Sequence, residues 1–520
     1  MRKVDDLFLS FSEMEKYNLF LSILEMKQKE VSPEQLIGCF QQHGQKITDI
    51  NIKQVAELLG RSYGSVYNTY MGLISDLNNL LGTENANLEE LFSVEAGAYY
   101  AFLTAQSYPY RFIDAIVQDK ETSFKEFYAN LGSSKATVLR HLKSMRAFLK
   151  DRGIRMTYEP MGFVGQSELA IRIAITSLYW RACGAYRWPF SDAARVEALE
   201  AVDEVRHSFD ISSFSTNVNT LLSIFMVVSF QRMKHHYLID FNATQNILHY
   251  AYPNLVREFA ETRTDHLQDL SDAELMNETG GLFLVYNLVP VYSETNKVMV
   301  ENFLQKLTYY NEDISEFVAD FLNSLPLDEH DALSKTSVDI KVIKANLMAI
   351  LIGVLAFNNS NMFLFNTDDQ NVLDQTGIET TPLYRSLSNT FAHLAMDQKY
   401  SKFKPYFRQI LPAFYGVLQP VLTLYKSKNM VNVYIQLRPS FFENSRLEQM
   451  IKTLAFVKIL NTSDDLQNTD LVVASDHVSL PDDLPESAAV MIWPRSPSSD
   501  VYGRLYGILR ELQLQKEANY

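Results

Sequence analysis

The sequence predicts a mainly helical, multidomain protein with tandem helix-turn-helix and winged-helix units towards its N-terminus and a small α/β domain at its C-terminus. Three observations carry that expectation. Apolar residues recur at helical spacing through most of the 520 residues. Two segments, around 52–71 and 121–150, carry the spacing of a helix-turn-helix. Beyond Pro405, short apolar strands alternate with helical or loop crossovers, the pattern of a small parallel sheet. At roughly 100–200 residues per domain, the length fits three to five domains.

Composition narrows the class. Hydrophobic residues make up 47% and charged ones 21%, which is globular rather than disordered. Lys and Arg total 47 against 62 Asp and Glu, a net charge of −15. Residues 1–169 hold 18 basic and 21 acidic side chains, which leaves 29 and 41 for the rest, so the acidity lies mainly beyond the helix-turn-helix region. The two cysteines, Cys39 and Cys183, lack metal-site spacing, so a disulfide framework or zinc site is not expected and a reducing compartment fits. The N-terminal residues lack the apolar core of a signal peptide. The longest apolar runs, Leu347–Phe357 and the block around Leu221–Phe230, are shorter than a bilayer span. A cytoplasmic protein with no membrane contact is the expectation.

In order along the chain, Lys16–Gln42 reads as two helices interrupted at Val31-Ser32-Pro33. The first helix-turn-helix follows. Ala56 is small where two helices must cross, Gly60 can take φ > 0 in the turn, and Val66 anchors the second helix, with Ser62 as its cap. The buried stripe of that second helix is Val66, Tyr70, Leu73 and Leu77. Its outer face, Gly64, Asn68, Met71, Gly72 and Ser75, carries no cation. Asn68 could read adenine; a packing or dimer-contact role fits the same face.

The second motif differs in charge. Ser123–Asn130 reads as a short helix, Leu131-Gly132-Ser133 as a turn, and Ser134–Lys150 as one long helix with Val138, Leu142, Met145 and Leu149 inside. Opposite that stripe stand Ser133, Ala136, Thr137, Arg140, Lys143 and Ser144, flanked by Lys135 and Arg146. Small and hydrogen-bonding groups suit base edges, and cations suit phosphates. Arg140 is the candidate for a bidentate guanine contact. Seven basic residues face a single acid between Gly132 and Arg155. After a C-cap at Gly153, Ile154–Tyr158 alternates as a strand, Glu159–Gly162 turns, and Phe163–Gly165 returns, which makes a β-hairpin wing.

These motifs resemble the Mga/AtxA family of Gram-positive global regulators. The resemblance rests on SSKATVLRHLKSM (133–145), on GIRMTYEPMGFVGQSELAIR (153–172), and on NIKQVAELLGRSYGSVYNTY (51–70) as the family's first unit. It implies five domains: an N-terminal helix-turn-helix domain (1–90), a Mga-type winged helix-turn-helix (91–170), two PRD-like helical domains (171–290 and 291–404), and a phosphotransferase system (PTS) enzyme IIB-like α/β domain (405–520). PRDs are helical bundles whose histidines can be phosphorylated by PTS proteins. His207, His266, His330 and His393 are the candidates here, with His235, His236 and His249 also in the region. In IIB relatives a cysteine after the first strand carries the phosphate. Here the loop 436–442 has none, so phosphotransfer is not expected.

The expectation is a transcription regulator, an activator by resemblance, that binds double-stranded promoter DNA as a homodimer. PTS phosphocarrier proteins are further partners by resemblance. No catalytic or cofactor motif occurs (no HExxH, GxSxG or P-loop), so neither an enzyme nor a cofactor is expected. The alternatives are an RNA-binding antiterminator with PRDs, which would need a small β-rich head, a phosphotransferase component, and a regulatory scaffold that does not touch DNA.

Overall fold

The N-terminal helices form where caps and turn residues permit them. The computed structural model describes residues 6–29, 47–120, 123–165, 167–211, 214–240, 254–262, 267, 269–289, 292–357, 378–426, 429–438, 441–461, 466–476, 480–481, 484–494 and 497–518. Helix α1 is Phe11–Lys29; the second helix expected before Gln42 lies outside the described residues. Asn51 caps α2 (Ile52–Leu58) by accepting from the N–H groups of Lys53 and Gln54. Gly60 turns the chain at φ +62°, and Ser62 caps α3 (Tyr63–Leu81). Then come α4 (Leu88–Leu91), α5 (Ala96–Gln106) and α6 (Tyr108–Val117). The winged segment consists of α7 (Phe124–Asn130), α8 (Lys135–His141), α9 (Lys143–Asp151), β1 (Ile154–Tyr158) and β2 (Met161–Gly165).

Five longer helices follow: α10 (Glu168–Cys183), α11 (Asp192–Ser208), α12 (Thr216–Lys234), α13 (Leu255–Thr262) and α14 (Asp272–Leu288). Helix α10 is buried on nearly every side from Leu169 to Tyr179, as expected of a central helix. A continuous apolar core runs from Phe20 and Leu73 through Phe112, Val138 and Leu149 to Ile175 and Val228, so both helix-turn-helix segments share it with the first long helices.

Directly behind the wing lies a buried ionic cluster. Arg172 donates to both oxygens of Glu278, at 2.5 and 3.0 Å, and to the carbonyl of Tyr237 at 2.7 Å. Glu168 accepts two 2.7 Å bonds from Arg232 and one of 3.2 Å from Arg172. Burial disfavours the Arg172 cation, but Glu278 and Glu168 outweigh that and raise its pKa. Buried charges persist when paired and hydrogen-bonded in this way.

The contacts divide the chain into Met1–Val291 with Ile352–Asn371, and Tyr292–Leu351 with Val372–Tyr520. The second unit holds α15 (Lys297–Tyr310), α16 (Glu312–Asn323), α17 (Leu327–Lys335), most of α18 (Ile340–Phe357), α19 (Pro382–Leu394) and α20 (Phe407–Tyr425). A buried ion pair joins Lys426 to Glu329 of α17 at 2.5 Å. Helix α18 is longer than its uninterrupted apolar run. Its 18 residues meet the length and hydropathy of a bilayer span, with 56% of them buried within the protein. The uninterrupted apolar run Leu347–Phe357 is shorter because Lys341 and Lys344 lie ahead of it, while the helical period, like the helix itself, runs from Ile340 through both.

The C-terminal strands β3 (Val431–Gln436), β4 (Val457–Leu460), β5 (Leu471–Ala474) and β6 (Ala489–Ile492) form an all-parallel sheet in the order β4-β3-β5-β6. Helices α21 (Phe441–Lys452) and α22 (Ser499–Ala518) contribute Leu447, Ile451, Leu505 and Leu509 to one face, against Val431, Val433 and Val473. The molecule is thus mostly helical with a small parallel sheet near its C-terminus.

Candidate nucleic-acid interface

The winged segment is built on aromatic packing. Phe124 and Phe127 of α7 are buried beside Phe112, with ring centroids 6.2 and 5.5 Å from it. Ser123 caps α7, and Gly132 at φ +59° makes the turn. Ser134 caps α8 by accepting from the N–H of Thr137. Val138, Leu142, Met145 and Leu149 are each completely buried, a stripe that anchors the segment on the core.

The single long helix expected over Ser134–Lys150 is two helices, α8 and α9, separated at Leu142, whose ψ is −2°. No proline or glycine causes the break. It falls where Leu142 sinks fully into the core while the neighbouring His141 ring packs on Tyr108 at 4.8 Å. The carbonyl of Leu142 still accepts from Arg146, so the buried stripe continues across the break. Lys143, Ser144 and Arg146 therefore belong to the following helix rather than to the motif's second helix.

The candidate residues separate by exposure. On α8, Lys135, Ala136 and Arg140 are exposed and Thr137 is half-buried, its hydroxyl 3.0 Å from Ser134 Oγ. On α9, Lys143 and Arg146 are exposed and Ser144 is half-buried. Ser133 sits in the turn, its hydroxyl 2.6 Å from that of Tyr108, so it is a pinning group of the turn. Among the described residues, Lys135, Arg140, Lys143, Arg146 and Lys150 form no ion pair with any carboxylate (Arg155 on β1 likewise). Arg152 is the exception in the basic run. It is buried, 3.7 Å over the ring of Phe148, and donates to the Phe148 carbonyl. The basic run thus presents six cations to solvent.

The wing has a two-residue tip. Tyr158 pairs with Met161 and Ile154 with Gly165, which leaves Glu159 and Pro160 between the strands. The tip holds no cation. Arg155, exposed opposite Val164, is the wing's basic group, a position the alternation of Ile154–Tyr158 already turns outward.

The first motif has the same backbone devices and the opposite electrostatics. Val55, Ala56, Val66, Leu73 and Leu77 are buried, while Asn68 is exposed. Arg61 is held by Glu15 at 3.0 Å and by Ser65 at 2.9 Å. Lys16, which packs near α3, is paired with Asp76. The outer face of α3 instead shows stacked Tyr63 and Tyr67 rings, 5.8 Å apart, followed by exposed Met71.

Of the histidine candidates, His207, His330 and His393 are exposed on α11, α17 and α19; His266 and His249 lie outside the described residues. His207 Nδ1 is 2.7 Å from the Asp203 carbonyl. His235, at the end of α12, contacts Asp119 in the linker before α7 at 2.5 Å, a contact that no sequence spacing signals.

Residues 95–179 match the family model described as the Mga helix-turn-helix domain. That segment covers α5 through the wing and most of α10. The chain thus carries a helix-turn-helix domain of the Mga kind, which supports the class of DNA-binding regulators. No curated protein matches the sequence.

Proposed function

We propose that the chain is a promoter-binding transcription regulator that reads DNA with α8 and holds phosphates with α9 and the wing. One observation carries this reading: six exposed cations, without a carboxylate partner among the described residues, lie on the winged segment of a protein whose net charge is −15. Such charge costs self-repulsion in the free protein and is offset when phosphates arrive. Arg140 is the base-reading candidate, Ala136 and Thr137 face the same groove, and Lys135, Lys143, Arg146, Lys150 and Arg155 serve the backbone. Homodimerisation on two half-sites, activation rather than repression, a cytoplasmic location, PRD-type control through His207, His330 or His393, and a IIB-like role for the C-terminal sheet extend the same reading. They rest on the resemblance and on the domain order.

Genomic fragments recovered by pull-down with the intact protein supply the test. If five of the six cations meet phosphates, log K falls against log salt with a slope of about −4 to −5 per protomer. A slope near zero contradicts DNA as the partner. For the regulatory part, phosphoproteomics of cells shifted between sugars should find phosphohistidine at one of the three exposed sites; its absence removes the PTS link.

A further inference from the structure

Away from the basic surface, the first unit contains a cavity of about 530 Å³, within the roughly 300–1,000 Å³ typical of small-molecule sites. Its walls come from four separate stretches: Asp6 to Tyr17, Gly97 and Tyr100 on α5, Trp180, Arg181 and Tyr186 at and beyond the end of α10, and Asn217 on α12. Five aromatic side chains, those of Phe8, Tyr17, Tyr100, Trp180 and Tyr186, therefore border one space. The rings of Tyr17 and Tyr100 are 5.3 Å apart and inclined at 60°. The Tyr186 ring lies so close on α5 that a Cβ at Gly97 would stand 1.9 Å from it, and yet the residue is 53% exposed. Glycine at 97 is what lets this ring form a wall.

The charged groups of the lining are two. The Asp6 carboxylate accepts from the N–H groups of Phe8 and Leu9 and from the Tyr100 hydroxyl, each at 2.8 Å, so its acceptor capacity is directed at the protein. The Arg181 guanidinium is the one cation among the described lining residues, and the Phe148 ring supports it with a centroid 5.0 Å away. A guanidinium is a planar fork matched to a carboxylate, and aromatic walls suit a flat ring. We propose that this cavity binds a small planar aromatic carboxylate, with its ring among Tyr17, Tyr100, Trp180 and Tyr186 and its carboxylate on Arg181.

The probes are benzoate and indole-3-acetate, with benzylamine and benzyl alcohol as charge controls, titrated into the full chain by calorimetry and tryptophan emission. The acids should bind saturably, at least tenfold tighter than either control, and change the emission of Trp180. The Trp180→Phe variant should lose the optical change and keep the heat. Arg181→Gln should weaken binding at least tenfold. Because Arg181 also packs on Phe148, Tyr186→Ala at an exposed ring is the second variant, and it should weaken binding severalfold with the unfolding midpoint unchanged. The proposal is overturned by no saturable heat with either acid, by a control that binds as tightly as the acids, or by unaltered affinity in both variants. Promoter binding is measured without these probes, so a failure here leaves the DNA reading intact.

Discussion

The two helix-turn-helix segments use the same backbone grammar and end with opposite surfaces. Each has a capped first helix, a glycine at positive φ, a serine cap and a buried valine on the second helix. In the first, the cation near the turn is consumed by Glu15, and stacked tyrosines occupy the outer face. In the second, the exposed cations of α8 and α9 form no ion pair among the described residues. Helix-turn-helix geometry is a packing solution. What makes it a DNA interface is the charge left unneutralised on its outer face.

The comparison can be broken first on stability, where the two segments should behave alike. Leu73→Ala and Leu142→Ala each remove a completely buried side chain and should each cost about 2–5 kcal/mol in urea unfolding. A near-neutral result at either position would mean that its segment is not anchored on the shared core. Next comes charge, where they should diverge. Replacing Lys143 and Arg146 together by Ala should reduce the salt slope of promoter binding by about 2, and replacing Lys53 and Arg61 together should leave it unchanged. Equal reductions would make both segments DNA interfaces. The smallest effect is in the turns. Gly60→Ala and Gly132→Ala force a side chain into positive φ, with a cost of about 1 kcal/mol each in thermal or urea unfolding. Neither glycine has a neighbour that an added Cβ would strike, so a larger loss at one site would point to a contact unique to that turn.

Local rules made much of this legible in the sequence. The stripe Val138–Leu149, the cap at Ser62, the glycine turns and the β1–β2 hairpin follow from spacing and residue type, and so do the C-terminal strands. What escaped was set by tertiary contacts. The break at Leu142 has no local cause, because it depends on Tyr108 receiving His141 and on the depth of the core. Arg152 counts as a cation in sequence but lies buried over Phe148. Arg61 looks available until Glu15, 46 positions earlier, folds against it. The Arg172–Glu278 pair joins residues 106 apart. A basic run in sequence is therefore an upper bound on a basic surface, and only pairing in space decides how much of it remains.

The most direct test compares Arg140→Ala with Asn68→Ala on one recovered promoter fragment, with affinity and footprint measured at fixed salt. Arg140→Ala should lose roughly 1–3 kcal/mol of specific affinity, with Asn68→Ala within about 0.5 kcal/mol of the parent. If Asn68→Ala lost the affinity and Arg140→Ala protected DNA as the parent does, the first segment would be the reader, and the assignment of DNA to the winged segment would be wrong.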